Sequence, residues 1–158
     1  MKLSLRSYAP EDFDQLFEID QACYEPAVAY SKRELRNYLR FPGGDCVIAS
    51  ADAKVAGFCM TAHQGARGYI ITIDVLAEFR RSGVGTMLLA EVERRFATDG
   101  VTEVGLETAT DNESAIAFWQ KHGYRTRGIW KGYYPGGRDA FAMTKSLARS
   151  AAASKARR

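Results

Sequence analysis

One short segment in the middle of the chain combines residue types that could bind a phosphate group. The run from Arg80 to Gly85, RRSGVG, stands between a strand-like run and an amphipathic helical run. The first N–H groups of a helix have no partner within it, and the positive end of the helix dipole lies there, so such a position attracts anions. Gly83 and Gly85 leave room for a phosphate oxygen beside the backbone, and the two arginines offset its charge. The segment therefore predicts an anion site at a helix N-terminus.

Two common nucleotide-binding motifs do not fit this segment. A Rossmann fingerprint would place a third glycine where Leu88 stands. A P-loop would place lysine and then serine or threonine after the last glycine, where the chain has Thr86 and Met87. The segment therefore binds a phosphate of another kind of ligand, or its glycines only form a structural turn.

The order R-x-x-G-x-G, after a strand and before a helix, resembles the pyrophosphate-binding motif of the GNAT acetyltransferase superfamily. Three longer stretches, Tyr69 to Leu89, Leu106 to Tyr124 and Gly132 to Lys145, are similar to segments of RimI-type enzymes and of the catalytic subunits of eukaryotic N-terminal acetyltransferases. The runs NESAI and YYP within them are the more discriminating parts. The resemblance covers most of the chain from Val55 to Leu147, and it implies acetyl-CoA as the cofactor and a primary amine as the acceptor.

In this superfamily two neighbouring parallel strands splay apart, and the pantetheine arm of the cofactor lies between them. The resemblance implies that Tyr69 to Val75 and Glu103 to Ala109 are those strands. The backbone of Ile73 and Val75 would then face the pantetheine, and the N–H near Val75 would stabilise the thioester oxyanion. The cofactor-binding residues implied in this way are Ile73, Asp74, Val75, Arg80, Arg81, Ser82, Gly83, Val84, Gly85, Thr86, Asn112, Ala115 and Trp119.

The resemblance also implies candidates for proton transfer. Glu107 and Tyr69 match positions on the two splayed strands where N-terminal acetyltransferases carry acid or base groups, and each would act through ordered water. Many members of the superfamily have a tyrosine where this chain has Trp119, and an indole cannot protonate a leaving thiolate. Trp119 would instead pack beside the pantetheine arm or in the core, and Tyr134, Tyr133, water or no group at all would supply the proton. The catalytic candidates are Glu107, Tyr69 and Tyr134, with a solvated carboxylate and a packing aromatic as the simpler interpretations of the first two.

The loop between the first two helices and the last hairpin resemble the peptide-binding loops of the superfamily. Pro26, Val28, Tyr30, Tyr133 and Tyr134 would form a small apolar and aromatic slot for the first residues of an extended peptide, with ordinary loop packing as the alternative. A protein α-amine, with a pKa of roughly 7.7 to 8.0, costs about 1 kcal/mol to neutralise at pH 7, whereas a lysine costs about 4.6 kcal/mol. A weak base therefore suffices for an α-amine.

These observations predict acetyl transfer to the N-terminal α-amine of a protein or peptide. A lysine side chain or a small-molecule amine is the alternative acceptor. A third hypothesis, motivated by Trp119, is a catalytically poor module that binds CoA or a partner. A fourth is a nucleic-acid adaptor that uses the basic C-terminal tail, which predicts salt-sensitive binding.

Periodicity and capping signals predict the elements that position these residues. Helices are expected from Pro10 to about Tyr24, from Lys32 to about Arg40 after a Ser31–Glu34 capping box, from about Gly83 to Thr98, and from a cap at Asn112 or Asp111 to Gly123. Strands are expected at 3–8, 46–51, 55–64, 69–75, 103–109, 125–133 and 139–145. With the resemblance, this order predicts an α/β (α+β) GNAT fold, in which a twisted, mixed and mostly antiparallel sheet of about seven strands contains a splayed parallel pair and is flanked by about four helices.

Length and composition bound the class of protein. A chain of 158 residues suits one domain, which we expect over 1–147, followed by a flexible basic tail over 148–158. No run approaches the roughly 20 apolar residues of a membrane span, so a cytoplasmic protein without a membrane partner is expected. The three cysteines, Cys23, Cys46 and Cys59, lack the C-x-x-C spacing of zinc and redox sites, and no metal is expected.

The formal net charge of +3 comes from the C-terminal end of the chain. The last fourteen residues hold five of the 22 basic residues and no acid, which leaves 17 basic against 19 acidic residues in the rest. The body therefore lacks the basic stripe that is typical of nucleic-acid-binding proteins, and binding of nucleic acid is not expected. A monomer or a homodimer is expected.

Overall fold

The computed structural model describes residues 1–147, and the predicted basic tail lies outside the described residues. Within this range the strands are β1 (Leu3–Ser7), β2 (Gly44–Ala51), β3 (Lys54–Gln64), β4 (Arg67–Val75), β5 (Glu103–Ala109), β6 (Arg125–Tyr134) and β7 (Arg138–Ser146). The α-helices are α1 (Phe13–Cys23), α2 (Lys32–Arg40), α3 (Val84–Thr98) and α4 (Glu113–Lys121). Each predicted element is present, and most predicted ends differ from the observed ones by no more than two residues.

The seven strands form one sheet in the order β1-β2-β3-β4-β5-β7-β6. All neighbouring strands are antiparallel except β4 and β5, which are parallel. A parallel pair needs a crossover connection, and α3 provides it between β4 and β5. The predicted mixed, mostly antiparallel sheet with one parallel pair is confirmed.

Each face of the sheet is covered by two helices. The larger core lies under α3 and α4, where Leu88, Val92 and Phe96 of α3 pack with Trp119 of α4. The second core lies under α1 and α2 and contains the side chains Phe13, Leu16, Ile19, Leu35, Ile48, Phe58 and Met60. Adjacent residues of a strand face opposite sides, so a side chain of β4 enters one core or the other according to its position.

The start of α2 shows the predicted capping box. The Ser31 hydroxyl accepts a hydrogen bond from the Glu34 N–H at 3.1 Å, and the Glu34 carboxylate accepts one from the Ser31 N–H at 2.9 Å. These bonds satisfy two N–H groups at the helix end and fix where the loop from α1 enters α2.

Within residues 1–147, no helix combines the length and the apolar character that crossing a membrane requires.

Candidate active site

The parallel strands β4 and β5 separate after three residue pairs. Their register covers Arg67 with Glu103, Gly68 with Val104, and Tyr69 with Gly105. Beyond these pairs β4 stays with β3 as far as Val75, and β5 stays with β7 as far as Ala109. The two strands therefore enclose an opening between 70–75 and 106–109, which we call the gap. The predicted splayed pair is confirmed.

The backbone of β4 directs polar groups into the gap. The Tyr24 hydroxyl donates to the Ile73 carbonyl at 3.2 Å, and the Arg80 Nε donates to the Val75 carbonyl at 2.9 Å. These carbonyls point away from β3, and the N–H of a strand residue points to the same side as its carbonyl. The N–H groups of Ile73 and Val75 therefore face the gap, as the predicted contacts with pantetheine and with an oxyanion require.

The turn before α3 leaves the first N–H groups of this helix open. Gly83 is the N-cap residue, has a φ of 89° and provides no side-chain cap. No atom other than its chain neighbours lies within 4 Å of the position that a Cβ on Gly83 would occupy. Arg81 also has a positive φ, 62°, which a residue with a side chain adopts in few places other than tight turns. The turn thus presents a helix N-terminus without a side chain in front of it, which fits the predicted pyrophosphate.

Gly85 lacks a side chain for a different structural reason from Gly83. A Cβ at Gly85 would lie 3.2 Å from the Phe118 ring of α4, so the missing side chain allows the first turn of α3 to pack against α4. The neighbouring Thr86 hydroxyl lies 3.2 Å from the His122 Nε2. Val84 is buried, and the Ser82 hydroxyl donates to the Phe79 carbonyl. These residues shape the turn, and their contacts with a cofactor stay a prediction.

Asn112 forms the N-cap of α4. Its Oδ1 accepts a hydrogen bond from the Ala115 N–H at 3.2 Å and a second from the Ser114 hydroxyl at 3.3 Å. The carbonyl oxygen of this side chain is therefore used by the helix. A contact between Asn112 and the cofactor, which stays a prediction, falls to the amide nitrogen.

Besides Val84, two residues predicted to contact the cofactor have buried side chains. The Asp74 side chain is 1% exposed and faces α1, on the opposite side of β4 from the core under α3. Burial therefore excludes the Asp74 carboxylate from the cofactor site. Trp119 is 5% exposed and packs edge-to-face with Phe118 and Tyr124, at centroid distances of 5.1 and 5.2 Å. Of its two predicted positions, beside pantetheine or in the core, the ring occupies the core.

The predicted acid and base groups meet at the β5 side of the gap. Glu107 is half-buried on β5, and its carboxylate accepts a hydrogen bond from the Tyr133 hydroxyl at 3.1 Å. Burial raises the pKa of Glu107, and this hydrogen bond lowers it. Tyr69 pairs with Gly105 two residues before Glu107, so Tyr69 and Glu107 belong to the same face of the sheet. The structure thus places both predicted proton-transfer residues of the splayed strands on one face.

The aromatic residues of the predicted slot also come together. The rings of Tyr133 and Tyr134 pack edge-to-face at 5.0 Å, and the Tyr30 hydroxyl donates to the Ile71 carbonyl at 3.4 Å. Burial raises the pKa of Tyr134 to about 12, and it raises the pKa values of Tyr30 and Tyr133 as well. These phenols therefore stay protonated at neutral pH. In the α1–α2 loop, Val28 is half-buried and Pro26 is exposed.

Sequence reasoning missed an ion-pair cluster at the mouth of the gap. The Arg138 guanidinium contacts Glu25 at 2.6 Å and Asp111 at 2.7 Å. It thereby joins the α1–α2 loop, the β5–α4 connection and the β6–β7 hairpin. The sequence contains one signal of this cluster, since Glu25 and Arg138 carry opposite charges in the two loops that were predicted to line one slot. Spacing along the chain does not show which charged residues pair across the fold.

Comparisons with known proteins agree with this geometry. A family model described as Acetyltransferase (GNAT) family matches residues 13–124. N-alpha-acetyltransferase 30 of Schizosaccharomyces pombe is 35% identical, over 83% of this chain and 87% of its own length. The structure of Arabidopsis thaliana Naa50 in complex with the bisubstrate analogue CoA-Ac-MVNAL is 25% identical, with a TM-score of 0.82 over 93% of this chain and 100% of that one. The ribosomal-protein-S18-alanine N-acetyltransferase of Escherichia coli shares the fold at 23% identity, with a TM-score of 0.83 over 92% of this chain and 94% of that one.

Proposed function

The chain belongs to the GNAT acetyltransferase family and is an acetyl-CoA-dependent N-acetyltransferase, and on this basis we propose that its acceptor is the N-terminal α-amine of a protein or peptide. The observation that carries the proposal is the contact of Glu107 with Tyr133, beside the gap and between two loops that contribute tyrosines. N-alpha-acetyltransferase 30 of Schizosaccharomyces pombe, by its name, and Arabidopsis thaliana Naa50, by the bisubstrate analogue CoA-Ac-MVNAL that it binds, support the same acceptor class.

The cofactor site is formed by the gap and by the N-terminus of α3. The open face of Gly83 and the first N–H groups of α3 would hold the pyrophosphate, and Arg81 is exposed beside them. The N–H groups of Ile73 and Val75 would hold the pantetheine and, at Val75, the carbonyl oxygen as it gains charge. When bound, acetyl-CoA supplies an acetyl group activated as a thioester.

Glu107 would accept the proton of the amine through a water molecule. Burial raises the pKa of Glu107 and the Tyr133 hydroxyl lowers it, and in its carboxylate form Glu107 is a weak base. An α-amine is neutralised at pH 7 for about 1 kcal/mol, against about 4.6 kcal/mol for a lysine. A weak base of this kind therefore matches an α-amine better than a lysine side chain.

Tyr134 remains a candidate proton donor for the leaving thiolate. With a pKa of about 12, it would donate uphill to a thiolate whose conjugate acid has a pKa of about 8.5. At neutral pH the thiolate can also leave without an acid, so Tyr134 would act mainly as a hydrogen-bond donor. Positioning of the reactants then supplies much of the rate enhancement.

The acceptor specificity is tested by following CoA release from acetyl-CoA with two sets of short peptides. One set has free N-termini and no lysine, and the other has blocked N-termini and one internal lysine. We expect turnover only with the free N-termini. Turnover confined to the blocked lysine peptides would move the acceptor to a side chain, and silence with both sets would contradict the proposal and lead to a panel of small amines.

Replacing Tyr133 by phenylalanine should shift the acidic limb of the kcat/KM profile to higher pH. The Tyr133 hydroxyl lowers the pKa of Glu107, and burial raises it. Without the hydroxyl, burial acts unopposed, so Glu107 keeps its proton up to a higher pH and the base form is lost earlier as the pH falls. The measurement is kcat/KM between about pH 5 and pH 8 with a free-N-terminus peptide.

The matched control for this variant is Tyr8→Phe. Tyr8 follows β1 at the opposite edge of the sheet, and its loss of a hydroxyl should leave the limb in place. An unchanged limb in Tyr133→Phe would show that Glu107 is not the group that titrates in the profile.

A further inference from the structure

Two buried carboxyl groups meet behind the gap, between α1 and β4. Asp20 is 0% exposed and Asp74 is 1% exposed. The Asp20 Oδ2 accepts the Tyr30 N–H at 2.7 Å, and the Asp74 Oδ1 accepts the Thr72 hydroxyl at 2.5 Å. Among residues 1–147, the other two oxygens, Asp20 Oδ1 and Asp74 Oδ2, have no donor. The two side chains lie within hydrogen-bonding reach of each other. A proton on one carboxyl group would therefore give the other the donor that it lacks.

Two ionised carboxylates in contact would be unfavourable here, because both are buried away from bulk solvent and no cation within residues 1–147 pairs with either. Six titratable groups interact electrostatically with the pair. They lie on α1, the following loop, α2, β2 and β3, and they are Cys23, Tyr24, Tyr30, Glu34, Cys46 and Cys59. None of these is a cation. Arg80, in the connection between β4 and α3, donates to the Val75 carbonyl and lowers the pKa of Cys23 against the effect of burial. One proton between the two orphaned oxygens would satisfy both.

We propose that Asp74 and Asp20 share one proton at neutral pH, and that this pair is a positioning element that holds the α1–α2 loop (24–31) on β4 beside the gap. Asp74 donates through Oδ2 to Asp20 Oδ1. Burial and the neighbouring Asp20 both raise the pKa of Asp74 well above its ordinary value, in agreement with this assignment.

The hydrogen bonds of the pair lead directly to the acceptor side of the gap. Asp20 holds the backbone of Tyr30, whose hydroxyl reaches the Ile71 carbonyl. Asp74 holds the Thr72 hydroxyl, which lies 3.2 Å from the Tyr24 hydroxyl. Tyr24 in turn donates to the Ile73 carbonyl. Loss of the shared proton would place two like charges in contact and loosen the loop at both tyrosines.

The proton is tested by urea unfolding of the wild type and of Asp74→Asn. The amide that replaces the carboxyl group keeps its shape and the donor but cannot titrate. In the wild type the folded state keeps a proton that the unfolded Asp74 releases above a pKa of about 3.9. The free energy of unfolding of the wild type therefore falls as the pH rises from about 3.9 to the pKa of the folded pair. Over this range the ratio of the wild-type to the variant unfolding constant should rise about tenfold per pH unit.

A ratio that does not change with pH would show that the folded pair holds no proton and would overturn the proposal. Asp14→Asn is the control, because Asp14 is exposed on the same helix and its ratio should show no such slope. Should Asp74→Asn not fold, infrared spectra of the wild type with isotope-labelled aspartate still decide the question. A protonated carboxyl band at pH 7 supports the proposal, and its absence overturns it.

The positioning role is tested by acetyl transfer and rests on the proposed function. Asp74→Asn should keep the KM for a free-N-terminus peptide, whereas Asp74→Ala, which leaves Asp20 Oδ1 without a donor, should raise this KM about tenfold with a smaller change in kcat. At alkaline pH the wild-type KM should rise while that of Asp74→Asn stays constant. Equal KM values for Asp74→Ala and the wild type, or the same pH dependence in the wild type and Asp74→Asn, would overturn the role.

These outcomes separate the two proposals. If no peptide is acetylated, the proposed acceptor fails, and the unfolding and infrared measurements still test the shared proton. If peptides are acetylated but the unfolding ratio does not change with pH, the acceptor stands and the shared proton fails.

Discussion

Replacing Gly83 by tryptophan is expected to weaken acetyl-CoA binding by at least about 100-fold, because the indole would cover the open N-terminus of α3. No atom other than its chain neighbours lies within 4 Å of the Cβ position there, so the new side chain occupies the space proposed for the pyrophosphate. Loss of two charge-assisted hydrogen bonds, at roughly 1.5 to 3 kcal/mol each, accounts for this factor. The measurement is the Kd for acetyl-CoA by titration calorimetry.

Gly100→Trp is the matched control for this variant. Gly100 follows the other end of α3, has a φ of 84° and also has open space at its Cβ position. The two variants therefore carry the same backbone strain and the same added ring, and differ only in which end of α3 they cover. We expect Gly100→Trp to bind acetyl-CoA like the wild type. An unchanged Kd in a folded Gly83→Trp protein would disprove the proposed position of the pyrophosphate.

Glu107→Gln is expected to lower kcat about 100-fold while leaving the Kd for acetyl-CoA unchanged. The amide keeps the size of the side chain and can still accept the Tyr133 hydroxyl, but it cannot take a proton from the amine. General base catalysis contributes about 100-fold or more. In the same variant the part of the acidic limb of the kcat/KM profile that we assign to Glu107 should disappear, which leaves only the titration of the amine itself.

Glu103→Gln provides the control on the same strand. Glu103 lies four residues earlier on β5, where β4 and β5 are still paired, and it contacts Arg67 at 3.0 Å. Its replacement should leave both kcat and the acidic limb unchanged. A Glu107→Gln enzyme with wild-type kcat would show that water or the amine itself handles the proton, and the family membership would be unaffected.

Local signals account for the parts of the fold and site that were predicted. The Ser31 capping box, the glycine turn before α3 and the strand β5 were each recognisable because they depend on neighbours within a few residues. The separation of β4 from β5 was predicted through the resemblance, not through periodicity.

The side that each β4 residue faces was decided by the tertiary structure. The register of β3 with β4 shifts between Met60 and Thr61, so that Met60 pairs with Thr72 and Thr61 with Ile70. An extra residue of this kind interrupts the alternation of side chains. Counting positions along β4 therefore could not show that Asp74 faces α1, where it meets Asp20.

The family, the order of the elements and the glycine turn could be predicted because each depends on residue types at fixed spacing. The partner that each side chain meets could not be predicted in this way. Trp119 lies in the core while its neighbour Phe118 packs on Gly85, and Arg138 joins Glu25 to Asp111. Such contacts join residues that are far apart in the chain, so they are selected by the packing of the whole domain.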